Sequence, residues 1–261
     1  MRPYLALARF SAKRALTYRM NFALALFGVV FQFIAMLAVW RALLGDSSLQ
    51  GFTWPQMREY LLIAFASGTL VSFFADLSMA ERIRDGLVAL DLVKPVRYQE
   101  ARFAEVLGGV WIEACIVLVV GSVTLAAFGE PVWPRGASIA LFAISMLLLI
   151  VIKFLVLYLC GLLCFWTQNY IGVQWARIAL VNLLSGALVP LAYFPGWFGA
   201  IATWSPFGGM TSTPGLIFIG NVTGADAALL VAVQLGWVVA FWFAAKSAFR
   251  FAVRQLTVNG G

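Results

Sequence analysis

The stretch IALFAISMLLLIVIKFLVLYLCGLLCF, Ile139–Phe165, carries a single charge, Lys153. A hydrocarbon core about 30 Å thick is crossed by roughly 20 apolar residues in a helix, so this stretch reads as a membrane span. Working outward, five more stretches read the same way. Phe22–Trp40 has Gln32 as its one strongly polar residue. Tyr60–Leu77 is shorter and richer in Ser, Thr and Gly. Val106–Phe128 is interrupted by Glu113, and Ile178–Phe194 and Ala227–Ala245 follow. Of the 261 residues, 63% are hydrophobic and 11% charged, against roughly 25% charged in a soluble domain. Lipid must therefore cover most of the surface. The pattern predicts an all-α polytopic membrane protein, one domain over residues 1–261 with six transmembrane helices.

The basic residues orient the bundle, because loops rich in Lys and Arg stay in the cytoplasm. An inside N-terminus places Arg2, Arg9, Lys13, Arg14, Arg19, Arg82, Arg84, Lys94, Arg97, Arg102, Arg177, Lys246, Arg250 and Arg254 on the cytoplasmic side. Arg41, Arg58 and Arg135 fall outside. The net charge of +7 is thus accounted for by anionic lipid and the cytoplasm, without nucleic acid. Ile178 to Ala225 has no charged residue and is long enough for two spans. Seven spans, however, would put Lys246, Arg250 and Arg254 outside. Pro195, Pro206 and Pro214, with Gly196, Gly208, Gly209 and Gly215, break up this part. Irregular backbone at membrane depth persists only inside protein or along a cavity. Residues 196–220 are therefore expected to be an external re-entrant hairpin before the last span.

The first 20 residues are a different element. Arg2, Arg9 and Lys13 share one helical face, with Tyr4, Leu7, Ala15 and Tyr18 roughly opposite. This predicts an amphipathic helix on the cytoplasmic leaflet, the alternative being a basic tail. The apolar run after it is long and lacks a clear cleavage site, so the segment is expected to be retained.

Catalytic chemistry finds little support. With no histidine, a Ser-His triad is excluded. There is no G-x-x-x-x-G-K-[ST] loop to cradle ATP phosphates and no metal-binding motif. Cys115, Cys160 and Cys164 lie in apolar runs and read as small apolar residues. Gln32, Asn182 and Ser185 either face a translocation path or hydrogen-bond between helices. Glu113 and Lys153 lie 20 residues before and 20 after Trp133. If the spans on either side of Trp133 pack antiparallel, these two reach a similar depth, as a steady helical rise dictates. An intramembrane ion pair is expected, the alternative being that Lys153 snorkels to the surface. The loop over residues 80–103 alternates charge sign around Ile83, Leu87, Leu90 and Leu92. It is longer than a plain connector of about 2–8 residues and suits docking to a partner, or lying on headgroups.

Six spans, an N-terminal amphipathic helix and a hairpin before the last span resemble an ABC-2-type permease. IRDGLVALDLVKP at Ile83–Pro95 resembles the segment after the second span in that family. LVPLAYFPGWF at Leu188–Phe198, SPF at Ser205–Phe207 and PGLIFIG at Pro214–Gly220 resemble its external region. The likeness covers the whole chain and is closest to a branch whose operons encode one ATPase and two permeases. It implies an exporter subunit in a bacterial inner membrane, paired with an identical or related permease across the first and fifth spans. It also implies two copies of a separate ABC ATPase, which carry ATP and Mg, so this chain would hold no cofactor and be no enzyme. The resemblance assigns ATPase coupling to Tyr4–Arg19, with Arg9 and Lys13, and to Glu81, Arg82, Arg84, Asp85, Gly86, Leu87, Lys94 and Pro95. The competing expectation is an ion-gradient-driven secondary transporter. No internal repeat of the kind common in that class is evident. A reporter fused after Gly261 should be active only as a cytoplasmic reporter; periplasmic activity there would overturn the orientation.

Overall fold

Apolar residues on every face leave the helix as the element that satisfies its own backbone in lipid, and the observed fold is helical throughout. The computed structural model describes residues 2–17, 19–45, 48–71, 76–128, 132–167 and 170–254. In chain order the helices are α1 (Arg2–Thr17), α2 (Arg19–Leu44), α3 (Trp54–Thr69), α4 (Asp76–Arg84), α5 (Val88–Leu92), α6 (Tyr98–Phe128), α7 (Ala137–Leu162), α8 (Tyr170–Leu184), α9 (Gly196–Trp204), α10 (Ser212–Phe218) and α11 (Gly224–Val253). Short 3₁₀ turns at Leu163–Phe165, Leu191–Tyr193 and Gly208–Met210 interrupt the second half. Among the described residues no strand forms beyond one isolated bridge, Leu49 with Phe52.

Among the described residues four segments are long and apolar enough to cross a membrane: Leu26–Leu44, Tyr98–Phe128, Ala137–Phe165 and Gly224–Val253. They correspond to the first, third, fourth and sixth expected spans. The second and fifth differ. The expected Tyr60–Leu77 helix instead starts at Trp54 and stops at Thr69. Its start is set by local chemistry: the Thr53 amide donates to Gln56 Oε1 at 3.0 Å and Pro55 occupies the first turn. At its end Leu70 turns extended and Val71 takes φ +62°. The expected Ile178–Phe194 helix runs instead from Tyr170 to Leu184. It ends before Gly186 at φ +78°, a left-handed position that glycine tolerates without steric cost. Hydropathy did not register either stop because the flanking residues stay apolar.

Two large clusters form. One joins Phe33, Leu37, Trp40 and Leu44 of α2 to Phe52, Tyr60, Phe65 and Phe218. Tyr60 is fully buried between two glycines: it donates to Gly186 O at 2.8 Å, and a Cβ on Gly215 would lie 2.7 Å from its ring. The second large cluster joins Met79, Ile83 and Val88 to Tyr98, Phe154, Tyr158, Leu162 and Ala245. Tyr98 stacks on Phe249 with ring centroids 4.7 Å apart. The segment after α3 is thus rooted in the bundle rather than looped away from it.

The expected leaflet helix, α1, packs along α6. Tyr4 donates to Glu100 Oε2 at 3.2 Å, while Leu5, Phe10, Arg9 and Lys13 are exposed. Side chains of Arg2, Ala15 and Tyr18 lie outside the described residues. Contact is backbone to backbone: a Cβ on Gly108 would sit 2.1 Å from the Ala8 carbonyl oxygen. Even Gly108→Ala should therefore push α1 off α6, at a cost of about 1–3 kcal/mol for overpacking. Amide exchange over residues 2–17 should rise in that variant while α7 and α11 stay protected; unchanged exchange in α1 would refute the contact.

Candidate functional site

The loop end of the bundle is organised by one carboxylate. Asp91 is buried and accepts from Arg82 Nε at 2.8 Å, Arg82 Nη2 at 2.6 Å and Lys94 Nζ at 2.7 Å, with Arg102 Nη2 at 3.8 Å. Burial by itself raises the Asp91 carboxyl. The hydrogen bonds from Lys94 and Arg82 and the charge of Arg102 outweigh it, and hold the group below its usual value. Arg82, expected to face an ATPase, thus clamps the loop from within. Around this node Leu87, Leu90, Leu92 and Val93 are exposed, Val93 to 84%. Glu81, Asp85, Gly86, Lys94 and Pro95 are exposed as well. Gly86 takes φ +71°, the turn that separates α4 from α5. The Arg84 side chain lies outside the described residues. Arg9 and Lys13 are exposed on α1, whose Tyr4 hydroxyl also accepts from the Arg97 amide at 3.4 Å.

Glu113 and Lys153 both bond backbone groups at the end of α3. Lys153 Nζ donates to the carbonyls of Ser67 and Leu70 and, at 3.4 Å, of Gly68. Glu113 Oε2 accepts from the Val71 amide at 2.7 Å. A helix that stops leaves carbonyls without intrahelical donors, and an ammonium is favoured at that end. The carboxylate takes the first amide beyond the break. On the other side Ser67 Oγ pairs with Thr211 Oγ1 at 2.7 Å. Nearby, Gln234 Nε2 donates to Gly209 O at 2.6 Å and the Ser212 amide to Ser185 O at 3.0 Å.

A cavity of about 400 Å³ opens beside this break. Three helices face it with residues at helical spacing: Val29, Gln32, Phe33 and Met36 of α2; Leu61, Ala64, Phe65 and Gly68 of α3; and Gln174, Arg177, Ile178, Val181 and Asn182 of α8. Lys153 and Thr211 complete the polar lining. Two of the three residues expected on a translocation path, Gln32 and Asn182, are therefore in the lining. Ser185 is buried just past α8, where its carbonyl meets Ser212. Sequence reasoning missed Asp91, Ser67 and Thr211. Asp91 had a signal, an acid flanked by Leu90 and Leu92 in a basic loop; the two hydroxyls had none. Among the described residues no group of three potential ligands could hold a metal ion.

Because Lys153 and Glu113 grip the same few residues, their losses should not add. Lys153→Met and Glu113→Gln should each destabilise the protein by about 1–3 kcal/mol, the cost of stranding a buried polar group. The double variant should fall short of the sum by at least about 0.5 kcal/mol. Additive losses in thermal unfolding would show that the two act independently.

None of the curated proteins matches the chain. The family model described as ABC-2 family transporter protein matches residues 24–260, from within α2 to the last residues of the chain. A match of that extent takes in the pinned break, the Asp91 loop and the cavity together, and the chain belongs to the ABC-2 transporter family.

Proposed function

We propose that the chain is the permease subunit of an ATP-driven exporter of the bacterial inner membrane, forming half of the translocation path. ATP and Mg are held by two copies of a separate ABC ATPase, and the partner permease is an identical or related chain. The observation that carries this reading is the surface of the Asp91 loop. Four apolar residues, Leu87, Leu90, Leu92 and Val93, stand exposed on a segment that an ion-pair node holds rigid. A preorganised apolar surface rimmed by charge is what a protein partner recognises.

The same reading gives the break in α3 a task. It lies between the cavity, which Ser67 and Gly68 line, and the loop end, where Met79, Ile83 and Val88 are rooted. A push on the loop is carried along the chain to the break. There Lys153 and Glu113, compensating each other as an ion pair across it, hold one of two backbone arrangements. Six spans with both termini cytoplasmic follow if α3 and α8 also cross, completed at the hairpin end by neighbouring segments. A re-entrant course for residues 196–220 is supported by Trp237, well along α11, donating to Trp204 O at 2.9 Å, and by the Gln234 bond to Gly209.

The test is pull-down of the assembled transporter. Leu90→Asp with Val93→Asp should weaken ATPase retention by more than about tenfold, as losing a buried hot spot does, while the permease still inserts. Charged residues at these exposed sites leave the fold intact. An ATPase that stays bound in the double variant, or no co-purifying ATPase with the native chain, would overturn the assignment.

A further inference from the structure

The last turns of α11 carry Lys246, Arg250 and, at the cap, Arg254 at successive i, i+4 positions. Like charges at that spacing repel along a helix face and cost stability. The helix dipole favours cations within the last turn only, and Lys246 lies two turns from the end. No acidic side chain occurs after Asp226. The neighbours α7, α10 and the Gly208–Met210 turn pack on α11 and contain none. On α6, which meets α11 where Tyr98 stacks on Phe249, Glu100 is paired with Arg97 and Glu105 with Arg102. Among the described residues none of the three α11 cations forms an ion pair. Lys246 Nζ sits 5.8 Å from the centroid of the Trp242 ring, a contact that leaves its charge in place. Ala245, Phe249 and Ala252 turn toward Met79 and Phe154 in the second large cluster. The cations turn the other way, with Arg250 and Arg254 exposed. On that same side the helix continues back as an exposed apolar row, Phe243, Val239 and Leu235. From Leu235 to Lys246 is about 16 Å of helix, about half of a 30 Å hydrocarbon core. An apolar row one leaflet deep that ends in unpaired cations has the outline of a lipid with an anionic head.

We propose that this face of α11 binds an anionic phospholipid of the leaflet that receives the C-terminal end of the helix. Arg250 and Arg254 take the phosphate, since a guanidinium is shaped for two-point contact with an oxyanion. Lys246 adds positive potential beside the Trp242 ring, and an acyl chain lies along Phe243, Val239 and Leu235. The bound head relieves the repulsion along the row. The site depends neither on the cavity nor on an ATPase partner.

The experiment is native mass spectrometry of the full-length protein, with whatever ATPase co-purifies, released from neutral detergent micelles. The micelles carry equal amounts of dioleoyl phosphatidylglycerol and dioleoyl phosphatidylcholine, which share chains and a phosphate and differ in net charge. Phosphatidylglycerol should be retained about tenfold more tightly as the first bound lipid, since each cation near the surface adds to the attraction. Arg250→Gln with Arg254→Gln should remove most of that preference. Arg250→Lys with Arg254→Lys should keep part of it, which guards against simple misfolding. Arg9→Gln with Arg135→Gln removes the same charge at exposed sites on α1 and before α7, and should leave the preference unchanged. Equal retention of the two lipids, or a preference that survives the glutamine pair on α11, would overturn the proposal. So would an equal loss in the Arg9 and Arg135 control, by showing that net charge alone is at work. Displacement by an equal concentration of glycerol 3-phosphate would also overturn it, because the apolar row would then contribute nothing. An ATPase released by the α11 glutamine pair while phosphatidylglycerol stays bound would assign the row to a protein partner instead.

Discussion

Three carbonyl groups at the end of α3, beside the cavity, take their donor from another helix. A helix that ends at a surface hands its last carbonyls to solvent, but α3 ends among α6, α7 and the Gly208–Met210 turn. Lys153 serves Ser67, Gly68 and Leu70 from α7, and Glu113 serves the Val71 amide from α6. Much of the structure depends on this arrangement. Val71 adopts φ +62°, which a β-branched residue keeps only when its surroundings over-determine it. The ammonium and carboxylate supply that constraint. Each ion has backbone groups of the break to satisfy.

The break divides the fold into two mechanical parts. At the end that carries α9 and α10, Tyr60 is locked between Gly186 and Gly215, and Gln234 holds Gly209. At the loop end, Asp91 draws Arg82, Lys94 and Arg102 together, which ties α4 and α5 to the start of α6, where Tyr4 of α1 also bonds Glu100. Rigid elements on both sides of a single irregular segment are what a coupling device requires, because force is then carried to the segment and not absorbed before it. The cavity opens beside that segment, so any change in backbone there changes its lining at Ser67 and Gly68.

Much of this was readable from residue order. The long helices α2, α6, α7 and α11 follow from long apolar runs, and the equal spacing of Glu113 and Lys153 about Trp133 drew attention to two residues that bond neighbouring positions at the end of α3. The mixed-charge loop and the polar positions Gln32 and Asn182 were visible as exceptions to their surroundings. The stops of α3 and α8 were not. Apolar residues continue past both, and hydropathy measures transfer to lipid, not helical continuity. Asp91 was counted as one charge among many because its burial depends on Arg82, nine residues away, folding back across the Gly86 turn. The hydroxyl pair Ser67 and Thr211, separated by 144 positions in the chain, carries no pattern that a single sequence displays.

By itself the sequence determined that this protein belongs in a membrane, that it is helical, which long segments are apolar enough to span, and that it offers no histidine chemistry and no phosphate-binding loop of its own. These are properties of local composition, and a membrane enforces them residue by residue through the cost of exposing backbone and charge. Only the tertiary structure decided what the intramembrane charges hold, which face of α8 meets α2 and α3 around a cavity, and which loop residues are clamped and which stand exposed. Those outcomes depend on partners far apart in the chain, whose hydrogen bonds form only after the helices have packed.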